Sequence, residues 1–194
     1  MATIEEELQA GGLKVLGLCH GLAQDNAALL QNSALLDHFT NDEAETLGGV
    51  MLRVRAQPGQ ILIQEDTIGD WMMLLLSGTV DVTKRSARGE PSRLAVIKSG
   101  ASVGEMSMLD CEPRYATCSA LEEVEVGVLT RLAIEQLIRE HPAVGAKLLV
   151  KLTQILAQRL RNTSNQLVKV RAGAAPDAPE AVKAGLKRRA SDWS

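Results

Sequence analysis

Residues 104–117 read GEMSMLDCEPRYAT, and they place a glycine, a carboxylate, a hydroxyl and an arginine close together between two strand-like apolar runs. Glycine at 104 lets the backbone approach a ligand with no Cβ in the way. The amides opening a turn through Glu105, Met106 and Ser107 direct positive dipole at an anion. Arg114 adds a planar fork that can bond two oxygens of one phosphate. Glu105 is out of place beside a phosphate unless it accepts a hydrogen bond from a donor, and a sugar hydroxyl is such a donor. The set suits a ribose joined to a singly charged phosphate, held by a loop with one short helical turn.

Outward from this loop the chain alternates short apolar runs with turn residues. Runs at 51–55, 61–64, 71–76, 79–84 and 93–97 are separated by Pro58-Gly59, Gly69-Asp70, Ser77-Gly78 and a polar turn at 86–91. After the loop come 116–121 and 124–129, split by Glu122-Glu123. Evenly spaced short strands predict a β-roll. Helical spacing precedes them at 28–36, and Thr40-Asn41-Asp42-Glu43 is a capping box for a helix running toward Leu47. Thr130 caps a helix over 131–140, and Pro142 opens a long helix that only Gly145 interrupts before Val170. Its apolar positions Leu149, Leu152, Leu156, Leu160, Leu167 and Val170 form a seam on one face.

The predicted class is therefore α+β, a jelly-roll-like β-roll with N-terminal helices and a long C-terminal helix. Residues 1–28, broken by Gly11-Gly12 and Gly17, read as an N-terminal arm. Residues 29–170 form the domain, with 142–170 as a dimerisation helix, and 171–194 form a flexible tail, basic at Lys187-Arg188-Arg189.

Composition excludes other classes. A chain of 194 residues with 45% hydrophobic content suits one ordinary core, while a formal charge of −3 and 2% aromatic residues argue against a nucleic-acid surface. The run Trp71-Met72-Met73-Leu74-Leu75-Leu76 is too short to span a bilayer, and the first residues are acidic where a secretory signal is basic. A cytoplasmic location with no membrane contact is expected. Cys19, Cys111 and Cys118 are odd in number and lack C-x-x-C spacing, so neither disulfides nor a metal site is indicated. His20, His38 and His141 are scattered, no catalytic set accompanies the loop, and a non-enzyme is expected.

Gly104-Glu105-Met106-Ser107, then Pro113-Arg114, then Ala116-Thr117 resemble the phosphate-binding cassette of the cyclic nucleotide-binding domain family. That family includes bacterial catabolite activator proteins and regulatory subunits of the cyclic-AMP-dependent kinase. The resemblance, over about 35–170, implies a ligand that is cAMP or cGMP, with no further cofactor. It implies Glu105 on the ribose 2′-hydroxyl, Arg114 on the cyclic phosphate, and backbone amides near Ser107 assisting. The run Arg159-Leu160-Arg161-Asn162-Thr163-Ser164 is similar to the activators' long helix, whose Thr-Ser pair reaches adenine. Thr163 and Ser164 thus favour cAMP.

Two departures from the family pattern stand out. Tyr115 occupies a position where members carry Ala, Ser or Thr, and three readings stay open: a ring turned out of the pocket, a ring covering the base, or a site reshaped for a cyclic dinucleotide. Past 170 the residues are Ala/Gly/Pro-rich, unlike the activators' helix-turn-helix domain. The expectation is a sensor that acts as a homodimer on an unidentified protein partner and binds no DNA directly. The alternative is a β-roll scaffold for assembly with a non-functional or differently specific pocket. Arg188-Arg189-Ala190-Ser191 also resembles a basic-directed kinase substrate.

Overall fold

The run WMMLLLS at Trp71–Ser77 is a strand buried on both faces. Trp71, Met73 and Leu75 point into one core and Met72, Leu74 and Leu76 into another, because successive side chains of a strand alternate between faces. This computed structural model describes residues 3–24, 27–86 and 88–171, with 27 and 28 as backbone alone. The tail that carries Lys187, Arg188, Arg189 and Ser191 lies outside the described residues.

The elements in order are α1 (Ile4–Ala10), β1 (Lys14–Leu18), α2 (Ala27–Asn32), α3 (Asn41–Gly48), β2 (Leu52–Ala56), β3 (Ile61–Ile63), β4 (Trp71–Ser77) and β5 (Thr79–Arg85). Next come β6 (Pro91–Lys98), β7 (Ser102–Val103), α4 (Glu105–Asp110), β8 (Thr117–Ala120), β9 (Val124–Thr130), α5 (Arg131–Glu140) and α6 (Pro142–Arg171). A five-stranded sheet, β1-β2-β9-β4-β7, faces a four-stranded sheet, β3-β8-β5-β6, and the strand pairs are antiparallel. Val54, Met73 and Val126 of the first sheet meet Val80, Ile97 and Cys118 of the second between the layers. The fold is an α+β arrangement built on this β-sandwich.

The second core lies between the outer face of β4 and β9 and the helices. Leu35, Leu36 and Leu47 pack with Met72, Leu74, Leu129, Leu137, Leu148 and Leu152. Thr40 accepts from the Glu43 amide while Glu43 accepts from the Thr40 amide, so α3 starts where its capping box predicts. Lys147 on α6 donates to Glu43 at 2.6 Å and Lys151 to Asp37 at 2.8 Å, tying the long helix to the N-terminal helices. Gly145 permits the α5–α6 crossing, since a Cβ there would fall 2.6 Å from Ile138 Cγ1. Among the described residues no helix is long and apolar enough to cross a membrane.

Two sequence expectations need correction, and one short strand went unread. Residues 3–18 are not an arm apart from the domain: α1 carries its own capping box from Thr3 to Glu6, β1 pairs with β2, and Leu8 and Leu13 enter the inter-sheet core. The Gly17 irregularity in β1 broke the period-two signal, and an unpaired β2 edge needs hydrogen bonds that only tertiary pairing supplies. The two-residue strand β7, directly before the loop, was too short to carry a pattern. The seam on α6 also divides: Leu152 is buried in its own domain beside Leu148, while Leu160, Leu167 and Val170 are exposed.

Candidate ligand-binding site

β7 and β8 are the stems of the loop at 104–117, and α4 is its helical turn. Gly104 adopts φ 88°, in the left-handed region, where a side chain is strained, and a Cβ there would meet Arg114 Nη1 at 2.9 Å. Glu105 and Ser107 are buried, whereas Met106 and Tyr115 are exposed and Ala116 is half-buried. The first-turn amides of α4 follow directly on Gly104 and have no carbonyl partners within the helix.

Arg114 is only 3% exposed. Its Nη1 donates to the Gly104 carbonyl at 2.9 Å, and its guanidinium lies 4.5 Å from the centre of the Trp71 ring. Burial pulls its pKa below the ordinary arginine value, with nearby carboxylates, Glu7, Asp70 and Glu105 among them, acting the other way. Beneath it Cys118 is pushed up to about 12 by burial, so its thiol stays protonated.

Sequence reasoning missed the partner of Glu105. Arg159, on α6, ion-pairs with Glu105 Oε1, and its Nη2 donates to the Ser102 carbonyl at 2.5 Å. The pair joins residues 54 apart in the chain, which no local pattern announces. Thr163 lies one helical turn beyond Arg159; it and Ser164 are exposed on α6, and the structure does not bring either of them into the loop. The ring of Tyr115 lies over Lys84 Nζ, 4.2 Å from the ring centre, and Lys84 also donates to the Tyr115 carbonyl at 2.8 Å. Of the readings left open for Tyr115, this arrangement matches a ring at the surface.

Four buried polar atoms gathered about the loop lack a hydrogen-bond partner among the described residues: Trp71 Nε1, Ser102 Oγ, Glu105 Oε2 and Arg114 Nη2. Buried polar groups are ordinarily satisfied, so such a cluster of donors and acceptors marks a place for a polar ligand. Beside it a cavity of about 340 Å³ is lined by Arg114, Trp71, Ile63 and, from α1, Glu7 and Leu8. Among the described residues no group of His, Cys, Asp or Glu could hold a metal ion.

A β-sandwich with a buried arginine and carboxylate on one interrupted loop defines a small-ligand-binding domain. Residues 53–141 match the cyclic nucleotide-binding domain family. The crystal structure of a cyclic nucleotide-binding domain from Methylobacillus flagellatus is similar, with 31% identity, 80% of this chain and 88% of that chain covered, and a TM-score of 0.71. The catabolite activator protein of Thermus thermophilus is similar at 28% identity, covering 71% of this chain and 63% of that one, with a TM-score of 0.66. A CRP-like cAMP-activated global transcriptional regulator of Mycobacterium tuberculosis is 29% identical over 109 residues, or 56% of this chain. The match spans 47% of that regulator, about half its length. The chain belongs to the cyclic nucleotide-binding domain family, and its domain is a regulatory one of that kind.

Proposed function

We propose that this protein is a cytoplasmic, non-enzymatic cyclic-nucleotide sensor whose ligand is cAMP. The observation that carries the reading is the set of orphaned buried atoms at the loop. Arg114 Nη2 is a charged donor free for a phosphate oxygen, and Glu105 Oε2 is an acceptor free for a ribose hydroxyl. Gly104, Met106 and Ser107 contribute backbone amides, and Tyr115 and Ala116 border the phosphate side. Thr163 and Ser164 lie outside the loop in this structure, and their proposed role at the adenine, which favours cAMP over cGMP, rests on the resemblance of their run to the activators' long helix.

Because Arg159 joins α6 to Glu105, a ligand that binds Glu105 acts on the long helix as well as on the loop. Differential contact with a movable element is what a two-state switch requires. The distal half of α6 exposes Leu160, Leu167, Val168 and Val170, and a second copy of the chain is the proposed cover for that stripe. The signal then passes to a protein partner; the formal charge of −3 argues against DNA as the direct target of these residues.

Calorimetry of the purified chain with cAMP, cGMP and a cyclic dinucleotide tests the reading. Saturable binding, tightest for cAMP, is expected. Absence of heat and of any thermal shift with all three ligands overturns it in favour of an assembly scaffold. Tighter binding of the dinucleotide overturns the ligand assignment alone.

A further inference from the structure

We propose that Trp71 and Gly69 are positioning residues that form a slot holding the Arg114 guanidinium in the place from which it meets the ligand. The inference rests on the reading of Arg114 as the phosphate-binding residue. It concerns the turn between β3 and β4, which the cassette itself does not include.

Three contacts fix the guanidinium. Its carbon lies 4.5 Å from the centre of the Trp71 ring, within cation–π range in a site shut off from water. At Gly69 an added Cβ would fall 2.6 Å from Nη2, 2.8 Å from Nε and 2.9 Å from Cζ, so that edge of the group closes directly against backbone. Gly69 does not adopt a positive φ, so this close approach is the reason for glycine there. Nη1 is committed to the Gly104 carbonyl, and Nη2, on the edge that packs against Gly69, has no hydrogen-bond partner among the described residues.

The same turn grips the arginine's main chain. The Arg114 amide donates to the Thr67 carbonyl at 2.8 Å, and the Asp66 amide donates to the Arg114 carbonyl at 2.9 Å. Residues 66–71 thus hold both the backbone and the side chain of Arg114. A long flexible side chain loses less freedom on binding when its geometry is fixed beforehand.

The test measures cAMP affinity by calorimetry on the full chain carrying Trp71→Phe, Trp71→Leu or Gly69→Ala. Thermal unfolding is measured for Gly69→Ala with and without Arg114→Ala. Trp71→Leu, which removes the ring face, is expected to weaken binding about tenfold, and Trp71→Phe, which keeps it, to stay within about threefold. Gly69→Ala is expected to weaken binding about tenfold by displacing the guanidinium, and to lower the unfolding midpoint only while Arg114 is present. Gly69→Ala guards against Trp71→Leu failing to fold, since it removes no core contact.

Unchanged affinity in folded Gly69→Ala and Trp71→Leu proteins overturns the slot. So does a Trp71→Phe loss as large as that of Trp71→Leu, or a Gly69→Ala destabilisation that persists without Arg114. Should the unaltered protein bind no cyclic nucleotide while the Gly69–Arg114 stability coupling is present, the cyclic-nucleotide reading fails and the slot stands.

Discussion

Removing the Arg114 side chain should abolish most of the affinity for cAMP. Arg114→Ala is expected to cost about 3 to 5 kcal/mol, because a desolvated phosphate loses its charged partner. Calorimetry with unchanged affinity would remove Arg114 from the site. Glu105→Gln keeps an acceptor at the ribose but loses the charge facing Arg159, and about 1 to 3 kcal/mol is expected, with a narrower preference for ribose over the 2′-deoxy ligand. The cysteines divide by the same logic of burial. Cys19 is pushed up to about 11 and Cys118 to about 12 by burial, while Cys111 is exposed at the end of α4. A thiol reagent on the native protein at pH 8 should modify Cys111 alone, and all three cysteines after denaturation. Most of the residues proposed for the site were legible because the cassette is local: Gly104, Glu105 and Arg114 lie within one loop. Arg159 and Trp71 were not, since each reaches the loop through space, from α6 and from β4.

α1 and β1 are integral to the sandwich, so damage there should register as lost stability. Leu8→Ala is expected to cost about 2 kcal/mol, the low end for a buried leucine, because Leu8 already borders a cavity. Leu132→Ala, at an exposed position, should change stability by less than about 0.5 kcal/mol. Equal unfolding midpoints for the two variants would return α1 to the role of a loose arm. The α3–α6 contact carries a pH signature. The Glu43 carboxyl is held below its ordinary value of 4.5, first by the bond from Lys147 and then by the Thr40 amide. A carboxyl lowered in the folded state contributes stability that is fully present above its unfolded value and is lost as pH falls through the folded value. Glu43→Gln should therefore lower stability at pH 7 by up to about 1 kcal/mol and leave it nearly unchanged at pH 3. Denaturant titrations of both proteins at the two pH values check this. A difference of the same size at both pH values would assign the effect to packing.

The proposed dimer belongs to the whole molecule. Light scattering at tens of micromolar should show a dimer for the unaltered chain and a monomer for Leu160→Glu, which places a charge on the exposed half of α6. A monomer for the unaltered chain, with and without cAMP, would leave the long helix as packing on its own domain. The sequence by itself determined the succession of short strands, the capped starts of α3 and α5, the length of α6 and the loop chemistry. Each is encoded in spacings of a few residues, where backbone geometry and side-chain type act directly. Tertiary structure decided that α1 and β1 close one side of the sandwich, that Leu152 turns inward while Leu160 does not, and that Arg159 meets Glu105. It also decided that Arg114 rests on Trp71. These outcomes depend on strand order: β4 pairs with β7 at one edge and with β9 at the other, which brings Trp71, the loop stem and the helices together. Burying the same apolar strand on both faces selects that order, and such selection acts through space between residues whose separation along the chain carries no local signal.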